Sequence, residues 1–294
     1  MPQAVKPTHH DIYPAIDPSN PSSKLADSAK GRTVVVTGAG RGIGRSIVLN
    51  YAKANPKVLV LAARTTSQLD EVESEIQKIN PSIKVIKQST DITDQQSVHN
   101  LIHTIVDNTD KDAPITLINN AGYGPKPQLI HETDTSEWFK TWDINIKGTY
   151  LVTRALLPHI NTTHKNYIIN ISSVASRHEY YIPGFSAYNP SKTALNRFTE
   201  FTQLEYGDSH NLVTFAVHPG GVKTELAKEG MPEELKHLLV DEPELMGGFA
   251  VWLGSGRVDF AKGRYLECTW DVEEIVKQEE RVKETDLWKT VVVV

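Results

Sequence analysis

Apolar residues follow two rhythms along this chain, and the rhythms alternate. The first is a set of short, continuous runs rich in β-branched residues. They are Thr33 to Thr37, Val58 to Ala63, Val85-Ile86, Ile115 to Ile118, Tyr167 to Ile171 and Leu212 to Val217. A run apolar at every position predicts a strand buried on both faces. The second rhythm is helical. Ile47, Val48, Tyr51 and Ala52 follow the first run, and Leu69, Val72, Ile76 and Ile79 the second, over roughly 67–79. Val98, Leu101, Ile102, Ile105 and Val106 follow the third, over roughly 94–109. A long helix is expected at about 135–157 and another from Tyr188 to about Tyr206. Helices near 232–254 and a short strand at Arg264 to Leu266 close the core. Strands that alternate with helices must run parallel, joined by right-handed crossovers. The predicted fold is therefore α/β, a single domain built on a doubly wound parallel sheet with helices on both faces.

The ends depart from this pattern. Residues 1–30 hold Pro2, Pro7, Pro14, Pro18 and Pro21 with no period of either kind, and read as an extended arm on the body or partly disordered. His9 and His10 within it read as a solvated pair, because no third metal ligand is placed near them. The folded domain spans 31–270. From 271–294 the chain is dense in Glu, Lys and Arg, as in a solvated helix. It ends in Val291 to Val294, expected to add an edge strand or to pack on a neighbouring subunit.

Composition narrows the partners. A formal charge of -5 argues against a general nucleic-acid binder. Cys268 is the single cysteine, so no internal disulfide is possible, which suits a reducing compartment. No apolar run reaches membrane-spanning length and no secretory core is visible at the N-terminus, so no membrane partner and a cytoplasmic location are expected.

The polar clusters sit just past the strands, on the edge where open parallel sheets bind ligands. After the first strand comes Gly38-Ala39-Gly40-Arg41-Gly42-Ile43-Gly44, then a helix. Glycines let the backbone approach a pyrophosphate, and the helix N-terminus offers free N–H groups and a positive dipole end. Dinucleotide binding is the expectation. The second strand ends in Ala62-Ala63-Arg64-Thr65-Thr66, with no acid for ribose hydroxyls until Asp70. Arg64, joined by Arg41, offers a planar fork to a phosphate, which favours NADP(H) over NAD(H). The competing reading makes both solvated surface arginines. Asp91 suits either the adenine amino group or a turn before Thr93 and Asp94. Tyr188 and Lys192 stand four apart, so on a helix they share a face. A nearby ammonium favours the phenolate and would let Tyr188 exchange a proton with a carbonyl or alcohol oxygen near neutral pH.

Together these residues resemble the short-chain dehydrogenase/reductase family. The matches are Thr37 to Gly44, Asn119-Asn120-Ala121-Gly122, Asn145 in Asp143 to Gly148, Ile171-Ser172-Ser173, Tyr188-Asn189-Pro190-Ser191-Lys192 and Pro219-Gly220-Gly221-Val222-Lys223-Thr224. They occur in the family's order. The resemblance implies a Rossmann-like fold and an NADP(H)-dependent oxidoreductase interconverting a ketone or aldehyde with an alcohol. Tyr188 would be the general acid or base. Lys192 would hold the nicotinamide ribose and lower the phenol's pKa. Ser173, rather than Ser172, would bond the substrate oxygen, and Asn145 would hold a relay water. Asn120, Ala121 and Gly122 would support the adenosine side. Pro219, Gly220, Val222 and Thr224 would meet the nicotinamide end, with Val222 and Thr224 at the carboxamide. Symmetric dimers or tetramers through the helices at 135–157 and 190–206 are the family habit. Two departures stand out: fifteen positions separate Ser173 from Tyr188, and Ser176 replaces an expected glycine. The alternative function is a non-catalytic NADP(H)-sensing or scaffold protein, disfavoured by the intact Ser173, Tyr188, Lys192 and Asn145. Substrate walls are expected from Tyr123 to Pro125, from His178 to Phe185, and from a mobile lid carrying Leu226, Met231, Leu235, Leu238 and Leu239. Tyr180, Tyr181 and Phe185 suit an apolar substrate, or else pack the loop on the body.

Overall fold

A computed structural model of the chain describes residues 5–291. Seven parallel strands form one sheet in the order β3-β2-β1-β4-β5-β6-β7. They are β1 (Thr33–Thr37), β2 (Val58–Ala63), β3 (Lys84–Ser89), β4 (Ile115–Asn119), β5 (Asn166–Ile171), β6 (Leu212–His218) and β7 (Arg264–Glu267). The central strand explains why the runs are continuous. Val34 and Val36 enter the core on one face and Val35 the core on the other, all fully buried. Thr33 of β1 is in register with Val58 of β2 and with Ile115 of β4, so the strand order reverses at β1. That reversal opens the crevice in which such sheets place ligands.

Helices α1 (Gly42–Lys53), α2 (Thr66–Ile79) and α8 (Pro243–Leu253) cover one face. Helices α3 (Gln95–Asn108), α5 (Thr149–Leu156) and α6 (Tyr188–Tyr206) cover the other. Asp94 starts α3 as an N-cap, its carboxylate accepting the Ser97 N–H at 2.6 Å.

The expected helix at 135–157 is not continuous. Helix α4 (Thr135–Trp142) gives way to a π-helical turn at Asp143–Gly148 before α5 resumes the α-helix. The cause is tertiary, because the Asn145 amide is bonded to the main chain of Tyr123. The stretch at 232–254 is likewise two elements, a 3-10 turn at Glu233–Leu238 and then α8 beginning at Pro243. A short helix, α7 (Glu225–Gly230), was not signalled by any period.

The arm from Val5 onward buries Val5, Ile16 and Leu25 in the main core and carries a 3-10 turn at Pro21–Ser23. His9 and His10 each find an acidic partner, although the His10 side chain stays exposed. His9 Nε2 lies 2.8 Å from Asp271, and His10 Nδ1 lies 2.6 Å from Asp241. The charged tail is two short helices, α9 (Val272–Val276) and α10 (Glu279–Glu284), which bury Val272, Ile275 and Val282. Arg264 of β7 fixes it by donating to the carbonyls of Val282, Thr285 and Leu287. Val291 is exposed and in no strand; the expectation for Val292 to Val294 falls outside the described residues. No helix among the described residues is long and apolar enough to cross a membrane.

Candidate active site

The glycine loop is built by close approach. Gly38 has φ +66°, a left-handed conformation that strains other residues. Gly44 opens α1 against it, and a Cβ on Gly44 would lie 2.1 Å from the Gly38 carbonyl oxygen. Asn120, at the end of β4, pins the loop from below: its amide donates to the carbonyls of Thr37 at 3.0 Å and Gly38 at 3.2 Å. The main-chain N–H groups of Asn120 and Ala121 return to the Thr37 hydroxyl. No side chain caps α1, since Arg41 stands at the N-cap with an exposed side chain. The first-turn N–H groups of Gly42, Ile43 and Gly44 therefore face the crevice. Across it, the Thr224 methyl lies 3.4 Å from where a Gly42 Cβ would be. This cradle of uncapped N–H groups, closed by glycine contacts, fits a pyrophosphate.

Arg64 follows β2 and is exposed; neither it nor Arg41 has an ion-pair partner among the described residues. Asp91 lies close enough to Arg64 to feel its charge. Partial burial works upward on the Asp91 carboxyl, but two bonds from Thr93 and the Arg64 charge hold it below its ordinary value. The Thr93 N–H and hydroxyl both reach Asp91 Oδ1, at 2.9 and 2.7 Å. Asp91 is thus a turn residue, with Oδ2 outside that turn.

The catalytic candidates converge from β5, α6 and the π turn. Adjacent serines at the end of β5 have different fates. The Ser172 hydroxyl donates to Asn196 of α6 at 2.5 Å, so it is spent on the helix. The Ser173 hydroxyl accepts the Ala175 N–H at 3.1 Å and stands beside the Tyr188 phenol. Ser176, in place of the expected glycine, ties the same loop down: its hydroxyl donates to the Ser173 carbonyl at 2.7 Å and accepts from the Asn196 amide at 2.9 Å.

Lys192 is buried, with Nζ 5.6 Å from the Tyr188 ring centre and donating to the Ile171 carbonyl at 2.9 Å. Burial pushes its pKa down to about 8. The expected lowering of the phenol by Lys192 is not what the geometry gives. Burial pushes Tyr188 up, opposed by its hydrogen bond with Ser173. The physical reason is that both groups are stripped of water together, and the ammonium is directed at a carbonyl rather than at the phenol.

Asn145 is held by its neighbours. Its Oδ1 accepts the Tyr123 N–H at 2.9 Å, and its Nδ2 donates to the Tyr123 carbonyl at 2.9 Å and to Ser191 at 3.0 Å. Both amide protons are committed and Oδ1 keeps one acceptor position, so a relay water would use that oxygen or the main chain of the π turn. The two groups still meet: a Cβ on Gly122 would lie 3.4 Å from Asn145 Oδ1 and 3.6 Å from Lys192 Nζ.

The far wall is Pro219 to Thr224. Val222 is buried and bridged to Asp241. The Thr224 hydroxyl caps α7 by accepting the Ala227 N–H at 3.1 Å, leaving its own proton free to donate. Leu226 of α7 and Tyr188 both border Gly124: a Cβ there would lie 3.3 Å from the Tyr188 ring and 3.5 Å from Leu226. Of the residues expected in a lid, Leu239 is buried.

The aromatic loop faces elsewhere. Tyr181, Ile182 and Phe185 line a groove of about 910 Å³ with Leu129, Pro190 and Thr193, on the outer side of α6. Tyr180 lies under the Arg177 guanidinium at 5.8 Å. Arg177 is bonded to buried Glu267 of β7 at 2.7 Å, which ties the start of this loop to the body, while Tyr180, Tyr181 and Ile182 remain exposed. Sequence reasoning missed Asp241, whose carboxylate accepts the Gly221 N–H at 2.5 Å. It missed Glu267 as well. The only local signal for Asp241 was an acid just before Glu242-Pro243 at a helix start.

Comparison with known proteins agrees with this geometry. The family model for short chain dehydrogenases matches residues 32–235. A short chain dehydrogenase of Monascus ruber, citE, is 38% identical over 290 residues, covering 97% of this chain and 94% of its own. Another from Emericella variicolor, andI, is 35% identical over 287 residues, covering 96% and 93%. Among solved structures, a 3-ketoacyl-(acyl-carrier-protein) reductase of Brucella melitensis complexed with NADH superposes with a TM-score of 0.71 at 23% identity, covering 81% of this chain and 97% of that one. Levodione reductase superposes at 0.73 with 20% identity, covering 81% and 96%. These two likenesses concern the fold. The chain belongs to the short chain dehydrogenase family and is an oxidoreductase of that family.

Proposed function

We propose that this oxidoreductase interconverts a ketone or aldehyde with an alcohol, using NADP(H), with Tyr188 exchanging the proton. The observation that carries the reading is the convergence of Ser173, Tyr188 and Lys192 beside a glycine cradle suited to a pyrophosphate. The nicotinamide supplies the hydride when bound. Ser173 bonds the substrate oxygen, where negative charge develops in carbonyl reduction. Tyr188 gives its proton to the same oxygen; a phenol pushed up by burial is neutral and holds that proton at neutral pH. Lys192 reaches toward the ribose side near Gly122, and Asn145 positions Tyr123 and Ser191 around it. Pro219, Gly220, Val222 and Thr224 border the nicotinamide end. At the adenosine end, Arg41 and Arg64 are exposed arginines with no acid at the β2 terminus, which favours the phosphate of NADP(H), and Asp91 Oδ2 is available to the adenine.

We further propose a homodimer through α5 and α6. Tyr150 stacks edge-on with Phe198 at 6.4 Å, and the adjacent Phe201 and Leu204 are exposed apolar side chains on α6. Titration with NADPH and NADH, following quenching of tryptophan fluorescence, tests the cofactor reading. Tighter NADPH binding is expected. Tighter NADH binding would overturn the roles given to Arg41 and Arg64, and no binding of either would favour a scaffold function instead.

A further inference from the structure

The N-terminal arm lies before the region matched by the family model, which begins at residue 32. Its folded path nevertheless ends against the far wall of the crevice. Asp241 is the link. Its carboxylate is buried, and its two oxygens serve two different segments. Oδ2 accepts the Gly221 N–H at 2.5 Å, and the Asp241 N–H donates back to the Gly221 carbonyl at 3.0 Å, so the two residues clamp each other. The turn makes room for this carboxylate: Gly220 has φ +85°, and a Cβ there would lie 2.7 Å from Asp241 Oδ2. Three residues after the clamped Gly221 comes Thr224, which faces Gly42 across the crevice. The other oxygen, Oδ1, faces His10 Nδ1 at 2.6 Å, and the His10 carbonyl accepts the Glu242 N–H at 2.7 Å. The arm thus grips the chain at both 241 and 242. It is held in turn by His9, paired with Asp271 and stacked on Tyr13 at 3.6 Å, and by the Thr8 N–H on the Thr269 carbonyl at 2.8 Å.

We propose that His10 and Asp241 are positioning residues for the dinucleotide: the arm orients Asp241, and Asp241 sets the Pro219–Thr224 wall. The proposal rests on the cofactor reading above. Without the His10 contact, Oδ1 loses a charge-assisted partner and the carboxylate can turn away from Gly221. The wall then samples positions that do not meet the cofactor, and part of the binding energy goes into reordering it. The His10 side chain is 63% exposed, so its replacement leaves the core intact.

The test uses the full chain with His10→Leu and His10→Asn, reading the dissociation constant for NADPH and NADH by tryptophan quenching, the Michaelis constant for the cofactor, and thermal stability. His10→Leu is expected to weaken dinucleotide binding by about fivefold to tenfold, with KM rising alongside and kcat holding. His10→Asn, whose amide nitrogen can stand where Nδ1 does, is expected to restore most of the loss. Binding by His10→Leu equal to wild type overturns the proposal, as does equal weakening in both variants that merely follows a falling melting temperature. If wild type binds neither dinucleotide, the cofactor reading fails and this inference with it.

Discussion

Lys192 carries an energetic cost that can be measured. Its ammonium is buried and held at about 8 rather than 10.5, with burial as the cause. Below pH 8 the lysine is charged in both the folded and the unfolded chain, so the folded state bears the whole penalty, roughly 3 kcal/mol on the scale of 1.36 kcal/mol per pH unit. Between about 8 and 10.5 the folded lysine is neutral while the unfolded one still binds a proton, and the penalty fades. Stability should therefore rise with pH across that window. Lys192→Met removes the charge and keeps most of the volume. It also removes the donor to the Ile171 carbonyl, at a cost of about 1 kcal/mol. The net gain at pH 7 is about 2 kcal/mol, or about 4 °C in Tm for a chain of this length. Differential scanning calorimetry at pH 7 and again near pH 10 reads it. The variant should melt higher at pH 7, converge on wild type near pH 10, and turn over substrate far more slowly. A variant that melts lower at pH 7, with a difference that ignores pH, would refute the argument that burial dominates this lysine.

Other outcomes follow from the same geometry. Tyr188→Phe should lose turnover while its cofactor dissociation constant stays within about twofold, because the phenol meets the substrate oxygen; retained turnover would sink the assignment. Ser173→Ala should cost about a hundredfold or more in kcat, whereas Ser172→Ala should act on melting temperature through the lost Asn196 bond. Gly44→Ala forces a methyl to 2.1 Å from the Gly38 carbonyl and should destabilise the fold by about 3 kcal/mol or more in urea titration. Arg64→Ala should weaken NADPH by about tenfold and leave NADH nearly unchanged, read by fluorescence titration. Leu204→Glu, placing a charge on the exposed face of α6, should give a monomer by sedimentation if α5 and α6 form the dimer contact.

The inner strands were legible because each is buried on both faces, and double burial writes a continuous apolar run; β3, at the sheet edge, is only partly buried and wrote just Val85-Ile86. The helices on α1, α2 and α3 were legible for the complementary reason, since each turns one stripe to a core. Features set by distant partners left no such trace. The π turn at Asp143–Gly148 exists because Asn145 bonds the main chain of Tyr123, more than twenty positions away. The arm's prolines break every period, so it reads as extended on the body or partly disordered, and nothing in that reading marks Ile16 and Leu25 as filling sites in the main core. The aromatic loop reads as a substrate wall or as packing on the body, because direction is not in composition; Tyr181, Ile182 and Phe185 line a groove with Pro190 and Thr193 of α6.

The pair of serines shows where the two kinds of information meet. Just past β5 the two neighbouring side chains are directed differently, so Ser172 and Ser173 meet different partners on α6, Asn196 and Tyr188. Sequence alone offers two identical hydroxyls, and resemblance to a family chooses the second. The structure supplies the reason. Ser172 belongs to a buried polar chain running through Asn196 to Ser176, and that chain fixes the loop from beneath. Ser176 then holds the Ser173 carbonyl, which leaves the Ser173 hydroxyl free to stand against Tyr188. The serine beside the phenol is kept available because the serine next to it is not. Replacing Ser176 with the glycine expected there would remove that hold on Ser173, so the departure from the family pattern tightens this site rather than weakening it.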